Sequence, residues 1–462
     1  MYIRGDGPIT YTPSLHQVCP RSTSLKEKRV VGIADYWCVT TLTLCETDAC
    51  ISTEDLVIRK NRSRYENNMF EGTGSADIGG WRGQGSPEDK NPENTKLQDL
   101  FSATLLLARK ARTDYPDLPW PHLVLLDDTQ AGAVTAMAVS PDGRFAASCY
   151  EDGAIRIWPL DSRKLFSKFT LDDEMFSCLT WSPDSSCVLA GSMNRVFLWD
   201  IRQENEPRRI FAGHQEDVQT VSISPDGTLA ATGSIDGTII LWKVQTGENH
   251  ITLPDNGGMV LSTTFSPDGK FIAAAVDSMA YIWKTETGEK VSDIQGHEGV
   301  IWFLSFAPNS ERMITGAEDH TARVWDVTNG DELVVINEHS GAVWSAVFSA
   351  DGAEILTGSD DGVVSACNSY TGENRLSLSL NERPSVVNIA AYSPDGEHIV
   401  AGCADGSLRM WETGNGKHIA EIVGHKDKVK NVGFTPDSRN IVSSSDDGTV
   451  RVWDVVDILK VA

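Results

Sequence analysis

Hydrophobic positions in this chain alternate in short runs, with no helical period over most of its length. VQTVSI (218–223), TLAATGS (228–234) and TIILW (238–242) are examples, each short and containing β-branched residues. That is the pattern of strands with one face buried. Between the first two stands Ser224-Pro225-Asp226-Gly227. Pro presets φ at the second turn position, Asp can bond its own backbone and Gly accepts positive φ, so the tetrapeptide predicts a hairpin. The signal recurs as SPDG at Ser140, SPDS at Ser182, SPDG at Ser266, APNS at Ala307, SADG at Ser349, SPDG at Ser393 and TPDS at Thr435. Successive starts are 42, 42, 42, 41, 42, 44 and 42 apart. Asp-Gly at Asp152, Asp236, Asp361, Asp405 and Asp447 supplies a second hairpin in five of the units. A fourth apolar run, such as 251–253 or 419–423, completes a unit of four strands, a to d. No helix is predicted between strands, which excludes a parallel α/β sheet.

A second column keeps the same phase: Trp158, Trp199, Trp242, Trp283, Trp325, Cys367, Trp411 and Trp453. Gly-His stands near the start of units at Gly213-His214, Gly296-His297 and Gly424-His425, with Glu338-His339 a degenerate copy; Trp-Asp closes three units at Trp199, Trp325 and Trp453. A repeat of about 42 residues with these marks resembles the WD-repeat (WD40) family over residues 121–462. The resemblance implies an all-β fold, a WD40 β-propeller of radially packed four-stranded blades. Eight a–b–c sets predict eight blades, with seven plus a stray unit as the alternative. The last set has little chain left for strand d, and the apolar run HLVLLD (122–127) is placed to supply it, closing the ring.

Family resemblance also assigns the repeated polar residues to hydrogen-bonded networks that fix blade geometry. The matching sets are His214/Thr232/Asp236/Trp242, His297/Thr315/Asp319/Trp325 and His425/Ser443/Asp447/Trp453. A Ser/His/Asp hydrolase reading of the same residues is much weaker. Blade six keeps His339, Thr357 and Asp361 but has Cys367 for Trp; blades one, two, four and seven lack the His and are expected to be less rigid. No G-x-S-x-G elbow, phosphate loop, HExxH or EF-hand pattern occurs, so no enzyme and no cofactor are expected.

Net charge sharpens the picture. The chain carries 40 Lys+Arg and 65 Asp+Glu, a net of −25. Residues 1–120 hold 15 basic and 16 acidic residues, leaving 25 and 49 for the rest, a net of −24 there. Such a body repels phosphate backbones and anionic lipid, so direct nucleic-acid or membrane contact is not expected, and protein or peptide partners of basic character are. Nine cysteines without a CxxC pair, and a start without an apolar core, are expected of free thiols in the cytoplasm or nucleus.

In the WD-repeat family, partners meet the residue after the first buried residue of strand a and the residue before the turn Asp. Carried over, the first set is Thr135, Ser177, Gln219, Leu261, Trp302, Trp344, Asn388 and Lys430, and the second includes Glu151, Ile235, Glu318, Asp360, Ala404 and Asp446. Trp302 and Trp344 beside Glu318 and Asp360 form the sharpest cluster. Aromatic faces with carboxylates suit a Lys or Arg side chain; the plainer reading is that both rings fill space. Trp199-Asp200-Ile201-Arg202 resembles the motif by which some WD-repeat proteins dock onto a cullin–RING ubiquitin ligase adaptor. The leading expectation is therefore a non-catalytic interaction scaffold, with ligase substrate receptor and transcriptional corepressor as rivals.

Residues 1–93 show no sustained period and are expected to be disordered or poorly ordered. Residues 94–120 are expected to hold an amphipathic helix and a linker. Leu97, Leu100, Phe101, Thr104, Leu105 and Ala108 recur at helical spacing, with Arg109, Lys110 and Arg112 at the end the dipole favours for cations. Packing on its own domain is the first expectation for this helix, and self-association through 94–112 the second.

Overall fold

A computed structural model describes residues 37–39, 58–60, 123–125, 132–162, 164–171, 173–203, 206–253, 257–379 and 385–461. Strands Trp37–Val39 and Ile58–Lys60 pair antiparallel within a first unit, Met1–Asn91. The other residues of 1–93, expected to be disordered or poorly ordered, lie outside the described residues. The helix expected at 94–112 lies outside the described residues.

In the second unit, Pro92–Ala462, the described strands form eight four-stranded antiparallel sheets. The a strands are Val134–Val139, Cys178–Trp181, Val218–Ile223, Val260–Phe265, Ile301–Phe306, Val343–Phe348, Val387–Tyr392 and Val429–Phe434. Each lies against strand a of the next blade, and the eighth lies against the first. Blades one to seven take strand d from their own repeat. Blade eight takes Leu123–Leu125, whose register is Leu123↔Val452, Val124↔Arg451 and Leu125↔Val450. Its own chain ends instead in a short helix, α1 (Val455–Val461).

The core is distributed over the blade interfaces. Strands b and c are largely buried on both faces, so each blade presents one layer to each neighbour. Ala147, Ile155 and Phe169 of blade one pack with Trp181, Val188 and Trp199 of blade two, and comparable clusters fill the next six junctions. At the closing junction Leu125, Val442, Val450 and Val452 pack with Val134, Ala146 and Trp158. An outward-facing buried Trp in seven of eight repeats is thus explained by volume: the gap between radiating sheets widens away from the axis.

The a–b turns interlock in the same way. In blade one the Gly143 amide bonds Ser140 O at 2.9 Å, with φ +70° at Gly143. Ser185, Ser310 and Ser438 adopt the same left-handed conformation where Gly is replaced. Each recovers part of that cost, because its hydroxyl accepts the amide of Asp142, Asp268 or Asp395 in the preceding blade at 3.0–3.1 Å.

Candidate functional site: the top face over blades five and six

The face carrying the b–c turns and the d–a loops is shaped by one backbone device. In seven of the eight described a strands the pairing to strand b shifts across the second residue. A bulge leaves that residue unpaired and re-aims its side chain. The skipped residues are Thr135, Gln219, Leu261, Trp302, Trp344, Asn388 and Lys430; Ser177 just precedes its strand.

What these side chains then do depends on their size. Thr135 donates to Phe176 O at 2.7 Å, Ser177 to Val218 O at 2.7 Å and Asn388 to Val429 O at 2.8 Å. These three fasten one blade to the next, a role that short polar residues at a bulge could have signalled. Lys430 and Lys428 both pair with Asp446, at 2.9 and 3.1 Å. Gln219 and Leu261 are half-buried in blades three and four, and Ala404 lies half-buried at the turn of blade seven.

Trp302 and Trp344 do come together. Their ring centroids are 5.2 Å apart, with planes inclined by 41°. Trp344 Nε1 donates to Asp360 Oδ1 at 2.5 Å, whereas Trp302 Nε1 is buried without an acceptor among the described residues. Both rings are half-buried, and Glu318 and Asp360 are exposed. The acidic turns are held by the backbone: Glu318 N bonds Val300 O and Asp360 N bonds Ala342 O, each at 3.0 Å. Glycine makes this approach feasible. A Cβ at Gly299 would lie 2.7 Å from Asp319 N, and one at Gly341 would lie 2.8 Å from Asp360 Cβ. Because the two rings touch, a cation can stack on an outer ring face beside the carboxylates but cannot be sandwiched between the rings.

Under this surface lie the polar networks, and their bonds account for every proton. In blade five Trp325 Nε1 donates to Thr315 Oγ1 at 2.8 Å, and Thr315 Oγ1 lies 2.7 Å from His297 Nε2. His297 Nδ1 lies 2.8 Å from Asp319 Oδ2. A neutral imidazole with its proton on Nδ1 satisfies all four groups. Burial pushes the His297 pKa below its ordinary value although Asp319 pulls it up, so the neutral form is favoured. Burial raises the Asp319 carboxyl, but bonds from Thr321, the Glu298 amide and His297 bring it below the usual range. His214, Thr232, Asp236 and Trp242 form the same chain, as do His425, Ser443, Asp447 and Trp453. In blade six His339 meets Thr357 at 2.7 Å and Asp361 at 3.2 Å, with the buried Cys367 where the indole would be.

Blades without the His divide into two kinds. In blades one and seven an arginine two positions before the Trp takes over the turn carboxylate: Arg156 meets Asp152 at 2.6 Å and Arg409 meets Asp405 at 3.1 Å. Both guanidinium side chains are almost fully buried. In blades two and four the Ser/Thr position is Ala190 or Ala274, and the buried Trp199 and Trp283 Nε1 groups have no acceptor among the described residues.

Two further candidates stand apart from this face. Trp199 is buried and Asp200 half-buried, accepting the Arg202 amide at 3.0 Å, while the Arg202 side chain is exposed past the end of strand c, on the opposite face. Asp395, Glu397 and His398 bring possible metal-ligand atoms within 4.8 Å of one another, but Asp395 Oδ1 already accepts Ser393 Oγ and the Glu397 amide.

Comparison with known proteins agrees with this architecture. A family model described as the IFT122 first beta-propeller matches residues 128–368, and the WD domain, G-beta repeat model matches 375–412 and 416–454. Actin-interacting protein 1 of Drosophila melanogaster is 31% identical over 134 residues, covering 28% of this chain and 22% of that protein. An uncharacterized WD repeat-containing protein of Synechocystis is 31% identical over 149 residues, covering 31% of this chain and 42% of its own length. The matched segments thus span less than half of either relative. The crystal structure of the computationally designed Ika8 protein superimposes with a TM-score of 0.64 at 25% identity, covering 71% of this chain and 98% of the designed one. A propeller model that accounts for just over half of the residues, on a fold whose repeats carry the family's own columns, leaves one assignment: the chain belongs to the WD-repeat β-propeller family.

Proposed function

We propose that this protein is a non-catalytic interaction module that holds a basic segment of a protein partner on its top face over blades five and six. The observation that carries the reading is the contact of Trp302 and Trp344 beside Asp360. Elsewhere on the same column no aromatic ring occurs: the side chains are Thr135, Ser177 and Asn388, bonded to the next blade, Gln219, Leu261, and Lys430, paired within its own blade. Here alone two large rings gather where Glu318 and Asp360 are exposed. Apolar area with negative potential suits a Lys or Arg side chain. That a relative is named for interacting with another protein supports a binding role of this general kind.

The test is capture. Purified protein is used to select from a displayed peptide library and a peptide is measured against the wild type and the Trp302→Ala/Trp344→Ala variant. The selected peptides should be basic, and the double variant, still folded by circular dichroism, should lose at least tenfold in affinity. Undiminished capture by the folded variant sinks the site. The ligase-receptor reading keeps one supporting observation, the exposed Arg202, and calls for pull-down of a cullin–RING adaptor that Arg202→Ala abolishes.

A further inference from the structure

We propose that the exposed face of α1 is the docking surface for residues 94–112 of the same chain, and that this contact latches the closing strand. Helix α1 carries one wide apolar face that is only half covered. Val455 and Ile458 are buried with Phe434, Ile441 and Trp453 in the junction of blades seven and eight. Val456 and Leu459, on the flank of the same apolar face, are 46% and 44% exposed. The bare flank of an apolar helix face calls for cover.

The strand register shows which chain passes there. Leu123 pairs with Val452 and Leu125 with Val450, antiparallel. Leu123, the first residue of the closing strand, therefore stands at the end of strand c that gives way to α1. Residues 94–112 lie outside the described residues, but their sequence carries Leu97, Leu100, Phe101 and Leu105 at helical spacing. The connecting residues 113–122 can span at most about 33 Å, which keeps α1 within reach of the segment. Pro116, Pro119 and Pro121 stiffen that connection. Arg109, Lys110 and Arg112 carry charge opposite to that of Asp454 and Asp457, at and in α1. A tethered segment has a millimolar-scale effective concentration, which favours it over a second copy of the chain.

The consequence is mechanical. Three residues form a short closing strand, and pinning the chain just before them opposes its peeling away from Val450–Val452.

Hydrogen exchange on the full-length chain tests the proposal. In Leu100→Asp/Leu105→Asp the amides of Val455–Val461 should exchange about tenfold faster than in wild type, with the inner blade strands unchanged. Light scattering should give one and the same monomer mass for both proteins. The reciprocal variant, Val456→Asp/Leu459→Asp, changes two exposed side chains and should speed exchange across 94–112; it decides the matter if the first variant fails to fold. Unchanged exchange in α1, or a wild-type dimer that the first variant converts to monomer, overturns the proposal.

Discussion

His297 Nδ1 lies 2.8 Å from Asp319 Oδ2, although 22 residues separate them in sequence. The same carboxylate oxygen accepts the Glu298 amide at 3.0 Å, and the other accepts Thr321 N and Oγ1 at 3.0 and 2.7 Å. One carboxylate thus fixes both the loop before strand a and the turn after strand b. Trp302 sits five residues past this histidine and Glu318 directly precedes the aspartate. The buried network therefore sets where the candidate binding residues stand, without contributing a group to the surface.

His297→Ala would take away the acceptor of the Thr315 hydroxyl proton and one donor to Asp319, inside the blade, while Trp325 Nε1 keeps Thr315 Oγ1. An unsatisfied buried polar group costs about 1–3 kcal/mol. The same change at His339 should cost less, because Cys367 offers no indole N–H and the chain there is one member shorter. Urea denaturation of both variants checks the order. Equal losses would mean the indole bond contributes nothing.

Acid should act on these histidines before it reaches the aspartates. Burial lowers the pKa of His214, His297, His339 and His425 below the ordinary 6.5, against the pull of their aspartates. Below that value the unfolded chain binds protons that the folded chain refuses, so stability rises with pH there and falls on acidification. The loss should begin as pH drops through 6.5 and continue towards the lowered folded values, with no change between pH 7 and 8.5. A second loss should follow below pH 3.8 as the depressed Asp236, Asp319, Asp361 and Asp447 protonate. Melting temperatures from pH 8.5 to 3 check both windows. A melting temperature that stays flat from pH 7 to 5 would contradict neutral, buried imidazoles.

Blade count and the three complete networks were legible because both rest on columns that repeat in phase, and a column survives local irregularity. What escaped was whatever breaks the column. Arg156 and Arg409 sit on strand c, where an arginine ordinarily reads as solvent-facing, yet they replace the missing histidine. Thr135, Ser177 and Asn388 sat in the partner column, and the structure shows that they reach the next blade's carbonyls instead. The seven residues of α1 are too few to display a helical period. Left-handed Ser185, Ser310 and Ser438 depend on a donor about 42 positions back in sequence, which no local rule anticipates.

Ring closure separates two truncations. Deleting 1–92 leaves Leu123–Leu125 in place and should shift the melting temperature by little. Deleting 1–128 removes Leu125 from the closing core and bares the Val450–Val452 edge, which is an invitation to pair with another chain. The second protein should aggregate on size-exclusion chromatography. Two equally monomeric, equally stable truncations would contradict closure by this strand.

Charge reversal at the top face should reach binding and not the fold. Glu318 and Asp360 are exposed, and Asp360 receives only the Trp344 indole from the described side chains. Glu318→Lys/Asp360→Lys should slow association of a captured basic peptide and flatten its dependence on salt, since steering acts mainly on the on-rate. The melting temperature should hold within the range of a surface change, about 0.5 kcal/mol. Stopped-flow or surface-plasmon kinetics at two ionic strengths read the result. A change confined to the off-rate would place the carboxylates inside the contact and remove their steering role.

Blade one tests whether an arginine can stand in for a histidine network. Arg156 is fully buried, meets Asp152 at 2.6 Å and lies over the Tyr150 ring with its guanidinium carbon 4.3 Å from the centroid. Burial raises the Asp152 carboxyl, but bonds from Arg156 and the Ala154 amide, with the Arg156 charge, bring it below the usual range. Asp152→Asn keeps an acceptor for Ala154 N while removing the charge that neutralises the guanidinium. Taking one member from a buried pair costs about 3–5 kcal/mol; Asp152 is 26% exposed, so water softens the loss to about 2–3 kcal/mol. Arg156→Met leaves the carboxylate able to turn to solvent and should cost less. The double variant Asp152→Asn/Arg156→Met should recover most of the first loss, because no buried charge remains. Denaturant midpoints for the four proteins close the cycle. A coupling below about 0.5 kcal/mol, the level expected of independent sites, would class Arg156 with ordinary packing residues and leave blade one without a substitute network.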